Sequence, residues 1–204
     1  MSTSNSIAPT PFGAERSTIA DPELSATDRT ALLALARRAI EAALCGRALP
    51  ELPDVAGARL RRGAFVTLEA RDTCDLRGCI GHVKGDRPLG EVIRQVAVSA
   101  ARSDPRFPPV EAGELADLRI EISVLGEPLF VPIADRCRIV IGRDGLLLRR
   151  GNLHAVLLPQ VATDNEFGPE AFLDAVCQKA GLRAGSWRDP DVRIFTFTAD
   201  VFVE

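Results

Sequence analysis

The chain has 204 residues, of which 46% are hydrophobic and 26% are charged, and its formal net charge is −3. This length and composition are typical of a globular protein with one domain or two small subdomains. The acidic balance gives no electrostatic support for nucleic-acid binding, and no stretch approaches the roughly 20 apolar residues of a membrane span. We therefore expect neither a nucleic-acid-binding protein nor a membrane protein.

The first part of the chain and the cysteines indicate the compartment. Residues 1–24 are rich in serine, threonine and proline and weak in apolar content, which predicts a disordered leader before an ordered domain over 25–204. The leader lacks the apolar run of a secretory signal. The five cysteines are an odd number. We therefore expect free thiols and a cytoplasmic location.

The spacing of apolar residues predicts the elements of the first half in chain order. Thr27 and Asp28 are good N-cap residues for an amphipathic helix that ends at Cys45-Gly46. Period-two alternation predicts a strand over 63–69, and the glycine-containing stretch 76–83 follows a turn. Pro88 opens a second helix, and a proline-rich stretch after residue 104 must end it.

The second half continues the mixture of helices and strands. Clean alternation predicts a strand over 119–125, and residues 137–149 are interpreted as a hairpin with a turn at Arg143-Asp144-Gly145. Pro169 begins a third helix, and Gly181 is placed for a left-handed C-cap. Residues 192–203 supply one or two final strands. Helices with mostly hairpin-linked strands indicate an α+β fold with antiparallel sheets.

The segment Leu76–Gly81, with the sequence LRGCIG, carries the main candidate chemistry. Cys79 lies between Gly78 and Gly81 and close to Arg77. A thiolate is the reactive form of cysteine, and a neighbouring cation such as Arg77 would lower the pKa of the thiol. The glycines would let backbone N–H groups approach a bound anion or carbonyl. The alternative is that Cys79 is a core residue and that the glycines only allow close packing.

Four further polar residues are candidates for the site. Glu121 shares a strand face with Ser123, so it is a general base or ligand-orienting group if that face lines a cleft, and a solvated carboxylate otherwise. Asp104 and Arg106 flank a proline at a helix exit, where they either present polar groups to a ligand or form a structural corner. Gln160 either offers its amide to a substrate or closes a turn.

Metal and cofactor motifs are weak or missing in the sequence. Cys74, Cys79 and His82 form a C-x4-C-x2-H cluster, but a structural zinc site needs a fourth ligand, and none follows at the usual spacing. We find no P-loop, dinucleotide fingerprint, nucleophile elbow or zincin motif. We therefore predict no metal site and name no cofactor.

Several ordered motifs at compatible spacing resemble the AMMECR-type domain family, protein A of the AmmeMemoRadiSam system. The resemblance runs from about Thr27 to Glu204. Its segments are Gly63–Leu68, Leu76–Gly81, Asp104–Phe107, Ile120–Leu125, Leu157–Ala162 and Lys179–Leu182.

The resemblance implies an α+β fold of two subdomains, each an antiparallel sheet with packed helices, the smaller inserted into a larger one built from both chain ends. It implies that the LRGCIG segment lies near a cleft for a ligand or partner. This nominates the following residues of the segment and its neighbours: Arg77, Gly78, Cys79, Gly81, Glu121 and Gln160. Relatives are associated with a Memo-like protein and a radical S-adenosylmethionine protein, which implies a three-component pathway.

Two functions from different classes follow. The first is an enzyme or enzyme subunit that binds or modifies an unknown small molecule near LRGCIG, with Cys79 activated by Arg77 and with Glu121 moving protons. It predicts an accessible Cys79 sulfur with Glu121 on the same wall. The second is a non-catalytic adaptor that docks a partner protein through the same surface. It predicts a buried Cys79 and an exposed apolar patch rimmed by arginines.

Overall fold

A computed structural model describes residues 24–204 of the chain. The α-helices in these residues, α1 to α5, span Ala26–Leu44, Ala56–Arg59, Leu89–Arg102, Pro159–Asp164 and Pro169–Lys179. The strands, β1 to β8, span Ala64–Ala70, Leu76–His82, Leu118–Leu125, Leu129–Val131, Gly145–Arg150, Leu153–Leu157, Arg193–Phe197 and Ala199–Val203. Within the described residues, none of the helices combines the length and the apolar character that a bilayer span requires.

The chain divides into two compact units, each with its own sheet and core. The terminal unit comprises residues 24–127 and 198–204 of the described chain, and the inserted unit comprises residues 128–197. The strand order is β2-β1-β3-β8 in the terminal unit and β4-β7-β5-β6 in the inserted unit, and all neighbouring strands are antiparallel. The predicted α+β class, with a smaller subdomain inserted into a larger one, is confirmed.

Helix α1 begins with a capping box at Ser25, two residues before Thr27, the first of the two N-cap residues that the sequence predicts. The N-cap is Ser25, whose Oγ accepts the N–H of Asp28 at 3.1 Å, while the Asp28 carboxylate accepts the N–H of Ser25 at 3.0 Å. Asp28 also accepts the N–H of Gly57 at 2.7 Å, which ties α1 to the start of α2. Leu24 is buried in the core of the terminal unit, and the other residues of the predicted 1–24 leader lie outside the described residues.

The core of the terminal unit lies between one face of its sheet and helices α1 and α3. Every second residue of β1 and β3 points to these helices, and Val66, Leu68, Ile120 and Ile122 are fully buried there. Burial of such a stripe contributes about 25 cal/mol for each Å² of apolar surface removed from water. The alternate residues of the same strands lie on the opposite face of the sheet, since successive side chains point to opposite sides.

The core of the inserted unit lies between its sheet and helices α4 and α5. Phe172 of α5 is fully buried in this core. Helix α5 begins at Pro169, as predicted, and ends in a Schellman motif in which Gly181 has φ +77°. The N–H of Leu182 donates to the carbonyl oxygen of Cys177 at 2.9 Å, and the Leu182 side chain packs against the core. The predicted glycine C-cap is therefore confirmed.

The predicted hairpin over 137–149 is wrong. Residues Ile133–Arg138 form a short 3-10 helix, and the hairpin is made instead by β5 and β6. The cause is Arg136, which is 1% exposed and donates to the carbonyl oxygens of Trp187 and Val192. These side-chain bonds fix the segment in place of a strand ladder, and no alternation of residue types signals them.

Candidate functional site

The face of the terminal sheet opposite α1 and α3 brings together polar residues from three strands. Cys79 of β2 lies opposite Thr67 of β1, and Thr67 lies opposite Glu121 of β3. Residues directly opposite each other share one face, so these three form a row across the sheet. Ser123 lies two positions along β3 from Glu121 and therefore points to the same side. We call Cys79, Thr67, Glu121 and Ser123 the polar face.

The Asp104–Arg106 pair completes the open edge of β2 at Cys79. Because β2 is an edge strand, one side of its backbone has no neighbouring strand. The N–H of Cys79 donates to Asp104 Oδ2 at 2.8 Å, and Arg106 Nη2 donates to the carbonyl oxygen of Cys79 at 3.3 Å. The two side chains therefore take the place of a neighbouring strand, one supplying an acceptor and the other a donor. They fix the backbone position of Cys79.

The opposite charges of Asp104 and Arg106 stabilise each other. Asp104 is 4% exposed, and its carboxylate accepts from Arg106 Nη2 at 2.7 Å, from Nε at 3.0 Å and from the backbone N–H at 3.1 Å. The bonds from Arg106, followed by that from the Cys79 N–H, hold the pKa of Asp104 well below its usual range. Asp104 raises the pKa of Arg106, and the Cys79 side chain adds to this rise. The Arg106 guanidinium is therefore held in its charged form beside Cys79.

The Cys79 thiol is half-buried and has a hydroxyl donor beside it. Thr67 Oγ1 donates to Cys79 Sγ at 3.3 Å. The backbone groups of Cys79 turn outward to Asp104 and Arg106, so Thr67 and Cys79 form a non-hydrogen-bonded pair. Cα atoms in such a pair are about 4.5 Å apart and the side chains lie close together. A hydroxyl that donates to sulfur favours the thiolate over the thiol.

Arg77, the predicted activator of Cys79, directs its guanidinium elsewhere. Its Nε and Nη2 bind the two carboxylate oxygens of Glu114, each at 3.1 Å, and Nη1 donates to the carbonyl oxygen of Pro108 at 2.8 Å. These bonds lower the pKa of Glu114 and fix the loop after α3. The geometry therefore favours Arg106 over Arg77 as the cation that acts on Cys79.

Gly78 and Gly81 are explained by close packing. A Cβ at Gly78 would lie 2.3 Å from the carbonyl oxygen of Ala100 in α3, and a Cβ at Gly81 would lie 2.2 Å from the ring of Phe65. Any side chain would push β2 away from α3 or displace the ring. The N–H of Cys79, between them, is already bonded to Asp104 and is not open to an oxyanion. The glycines thus follow the packing interpretation, whereas the thiol between them stays partly exposed.

Glu121 lies in a charged environment on the polar face. Arg119, two residues earlier on the same strand face, binds Glu69 with Nη2 2.6 Å from Oε2. The pKa of Arg119 is raised, first by Glu69 and to a smaller extent by Glu121. Glu121 is half-buried and lies between Thr67 of β1 and Val203 of β8 in the register. It is therefore placed to act on a molecule that lies over the row.

Ser123 and Thr67 lie on the polar face although the sequence analysis did not name them as candidate site residues. Ser123 is 1% exposed, and its Oγ has no hydrogen-bond partner among residues 24–204. A buried hydroxyl without a partner costs about 1–3 kcal/mol, so this position is not explained by stability. The alternation of β3 contained the signal for Ser123. No sequence pattern indicates Thr67, because only the strand register shows that it lies opposite Cys79.

The C-x4-C-x2-H cluster is dispersed in the structure. His82 lies three residues from Cys79 on the same strand and hence on the opposite face, where its Nε2 is 2.7 Å from Asp86 Oδ1. Cys74 lies in an exposed turn with φ +59°. Within residues 24–204, no group of three or more histidine, cysteine or acidic side chains is arranged to hold a metal ion.

Gln160 and the other cysteines belong to elements other than the strands of the polar face. Gln160 lies on α4 of the inserted unit, and its part in the site stays a prediction. Cys45 and Cys137 are exposed thiols. Cys177 is buried on α5, and this burial raises the pKa of its thiol.

The chain is thus an α+β protein in which an edge strand carries a cysteine whose backbone is held by an ion pair. The model of the AMMECR1 family matches residues 33–202, and the chain belongs to this family. The family expected from the sequence motifs is therefore confirmed.

Relatives and a solved structure support this assignment. A protein of Methanothermobacter thermautotrophicus is 44% identical over 189 residues, which cover 89% of this chain and 96% of the relative. Protein TK0174 of Thermococcus kodakarensis is 41% identical over 181 residues, covering 85% of this chain and 88% of the relative. The crystal structure of uncharacterized protein PH0010 from Pyrococcus horikoshii has a TM-score of 0.81 and 40% identity, and the match covers 85% of this chain and 89% of that one.

Proposed function

We propose that the terminal unit binds a small molecule over the polar face and that Cys79 acts on it as a thiolate nucleophile. The observation that carries this proposal is the row formed by Cys79, Thr67 and Glu121, with the thiol half-buried and its backbone held by Asp104 and Arg106. A thiol with a structural role alone has no need of a hydroxyl donor at its sulfur and a fixed cation beside it.

The roles of the residues follow from their spacing. Neighbouring strands lie about 4.8 Å apart, so Cys79 and Glu121 are separated by roughly 10 Å, with Thr67 between them. Glu121 is therefore too distant to take the thiol proton directly. It is placed to exchange a proton with the far end of a molecule that spans the row, while Arg106 stabilises the negative charge on sulfur.

The pathway and the compartment belong to the same proposal. The family resemblance supports a place beside a Memo-like protein and a radical S-adenosylmethionine protein, with the modified small molecule passing between components. All five cysteines are free thiols, which supports the reducing cytoplasm as the location.

The alternative function, an adaptor that docks a partner protein, is supported by one observation. On the edge strand β8, Val201 lies opposite Ser123 and Val203 lies opposite Glu121. The two valines are 42% and 45% exposed. Exposed apolar side chains on an edge strand are typical of a protein-binding surface. Titration of the Memo-like protein into the wild-type chain and a Val201→Asp variant tests this alternative.

The first experiment is the pH dependence of Cys79 alkylation by iodoacetamide. Three other thiols are exposed, so the background carries Cys45→Ser, Cys74→Ser and Cys137→Ser, and the buried Cys177 serves as an internal slow thiol. We expect Cys79 to react at half its maximal rate at a pH well below the free-thiol value of about 8.5. The Cys79→Ser variant in this background measures the alkylation that does not come from Cys79.

Two arginine variants identify the cation. Arg106→Gln is expected to move the alkylation midpoint upward, whereas Arg77→Gln leaves it in place, because only Arg106 contacts Cys79. A Cys79 that reacts as slowly as Cys177 at every pH would remove the thiolate from the proposal and favour the adaptor. A larger shift in Arg77→Gln than in Arg106→Gln would return the activating role to Arg77.

A further inference from the structure

The inserted sheet carries a second unusual surface, on the face opposite α4 and α5. In the register, Phe130 of β4 lies opposite Phe195 of β7, and Arg193 of β7 lies opposite Arg149 of β5. Phe195 and Arg193 are two residues apart, so all four side chains share one face of three adjacent strands. We call Phe130, Phe195, Arg149 and Arg193 the arginine–aromatic patch.

The patch is ordered by contacts between its own side chains. The rings of Phe130 and Phe195 meet edge to face, with centroids 5.7 Å apart. The Arg193 guanidinium lies 5.3 Å from the Phe130 centroid and 5.5 Å from the Phe195 centroid, and that of Arg149 lies 5.5 Å from Phe195. Phe130 is nevertheless 47% exposed. Cations stacked on rings keep their N–H edges free for bidentate recognition of an anion.

Neither Arg149 nor Arg193 has an acidic partner among residues 24–204. Arg150, which follows Arg149 on β5, differs in this respect. Arg150 pairs with Asp189 and Asp191, at 3.6 Å and 2.8 Å. None of the described strand positions on the face of the patch is acidic, and the residue opposite Arg149 on β6 is His154. The face therefore presents positive charge around an exposed aromatic ring. A partner surface of complementary charge carries acidic residues.

We propose that the arginine–aromatic patch docks an acidic segment of a partner protein, with carboxylates on Arg149 and Arg193 and an apolar side chain against Phe130. Arginine and exposed aromatic residues are the types that carry most binding energy in protein interfaces. Single-stranded nucleic acid fits less well, because guanidiniums already cover the ring faces on which bases would stack. The patch uses no residue of the polar face, so it is independent of the function proposed above.

The test measures fluorescence anisotropy of a labelled peptide of alternating glutamate and leucine against the full chain. A peptide of alternating glutamine and leucine, equal in length, reports the apolar contribution, and labelled oligouridine tests nucleic acid. We expect the acidic peptide to bind and to weaken as NaCl is raised, since exposed charges are screened by salt. Arg149→Gln and Arg193→Gln should each weaken it roughly tenfold, and Phe130→Ala by a similar factor.

A matched control separates the patch from net charge. Arg183→Gln removes the same charge from an exposed residue in the loop after α5, on the helix side of the sheet, and should leave peptide affinity within about twofold. Thermal melts confirm that all variants are folded. Failure of the acidic peptide to bind, equal losses in Arg183→Gln and Arg193→Gln, or tighter binding of oligouridine than of the acidic peptide would each overturn the proposal.

Discussion

The terminal and inserted sheets have the same plan, yet their helix-free faces differ in chemistry. Each is a four-stranded antiparallel sheet that packs one face against helices. On the terminal sheet the other face carries a thiol, two hydroxyls and a carboxylate. On the inserted sheet it carries three phenylalanines, two arginines, a histidine and two aliphatic side chains. The first set suits the orientation and reaction of a small molecule, and the second suits the recognition of a charged surface.

The core faces specify the fold, while the faces away from the helices carry the side chains that differ in chemistry. Substituting Val66 or Ile122 with a similar apolar residue keeps a core face, because cores tolerate such changes when volume is kept. The arginines show the same division. Arg106 is fixed by the buried carboxylate of Asp104, whereas Arg149 and Arg193 rest on rings. One cation is thus held by a carboxylate, and the other two lie against rings without an acidic partner among residues 24–204.

A substitution in a core face should destabilise the protein most. Phe172→Ala removes a fully buried ring of the inserted unit and should lower the free energy of unfolding by about 3–5 kcal/mol. Phe130→Ala, on the free face of the same unit, should lower it by less than about 1 kcal/mol. Urea unfolding followed by the fluorescence of Trp187, the single tryptophan and a buried residue of this unit, reports both variants. Equal losses would mean that the free face is part of the core.

The next effect concerns the pair that holds Cys79. Asp104→Asn keeps the shape of the side chain but removes the charge that Arg106 binds, and the free energy of unfolding should fall by about 1–3 kcal/mol at pH 7. The upper part of this range is limited by the exposure of Arg106, at 53% of its side chain. Circular dichroism in urea measures the loss. Asp54→Asn, in the exposed pair with Arg59, is the control and should change stability by less than about 0.5 kcal/mol.

The pH dependence of this pair has a definite sign. The pKa of Asp104 is lowered in the folded protein, so its contribution to stability is present above the unfolded value of about 3.9. It is lost as pH falls below that value toward the folded pKa. Wild-type protein should therefore lose more stability than Asp104→Asn between pH 6 and pH 3, and the two unfolding curves should converge. Parallel curves would show that the ion pair contributes nothing.

Some of these features were open to prediction from sequence and some were not, for physical reasons. Period-two alternation gave β3 and the shared face of Glu121 and Ser123, since one buried face imposes that pattern. The sequence suggests Arg77 as the cation beside Cys79, whereas its guanidinium binds Glu114, because proximity along the chain does not report where a long side chain finds its carboxylate. Arg106 reaches Cys79 only through the loop after α3. The 3-10 helix around Arg136 was missed because side-chain bonds to backbone carbonyls leave no periodic signal.

Removing each of two hydroxyls on the polar face should have smaller and opposite effects on stability. Thr67→Val removes the donor to Cys79 Sγ and should lower the free energy of unfolding by about 1 kcal/mol, whereas Ser123→Ala removes a buried hydroxyl without a partner and should raise it by about 1 kcal/mol. Urea unfolding by circular dichroism measures both. Opposite signs would support a polar face that keeps Ser123 for binding at a cost in stability. A loss in Ser123→Ala would mean that its hydroxyl is already satisfied in the fold.

The smallest effect tests the free face of the inserted sheet. Arg193→Gln removes two contacts with rings but no ion pair among the described residues, so the free energy of unfolding should change by only about 0.5 kcal/mol. Trp187 fluorescence in urea measures the change, and Arg150→Gln, which loses two exposed ion pairs, should behave similarly. A loss above about 2 kcal/mol would make Arg193 a structural residue. With stability unchanged, any loss of acidic-peptide binding in Arg193→Gln reflects the missing guanidinium rather than a disturbed sheet.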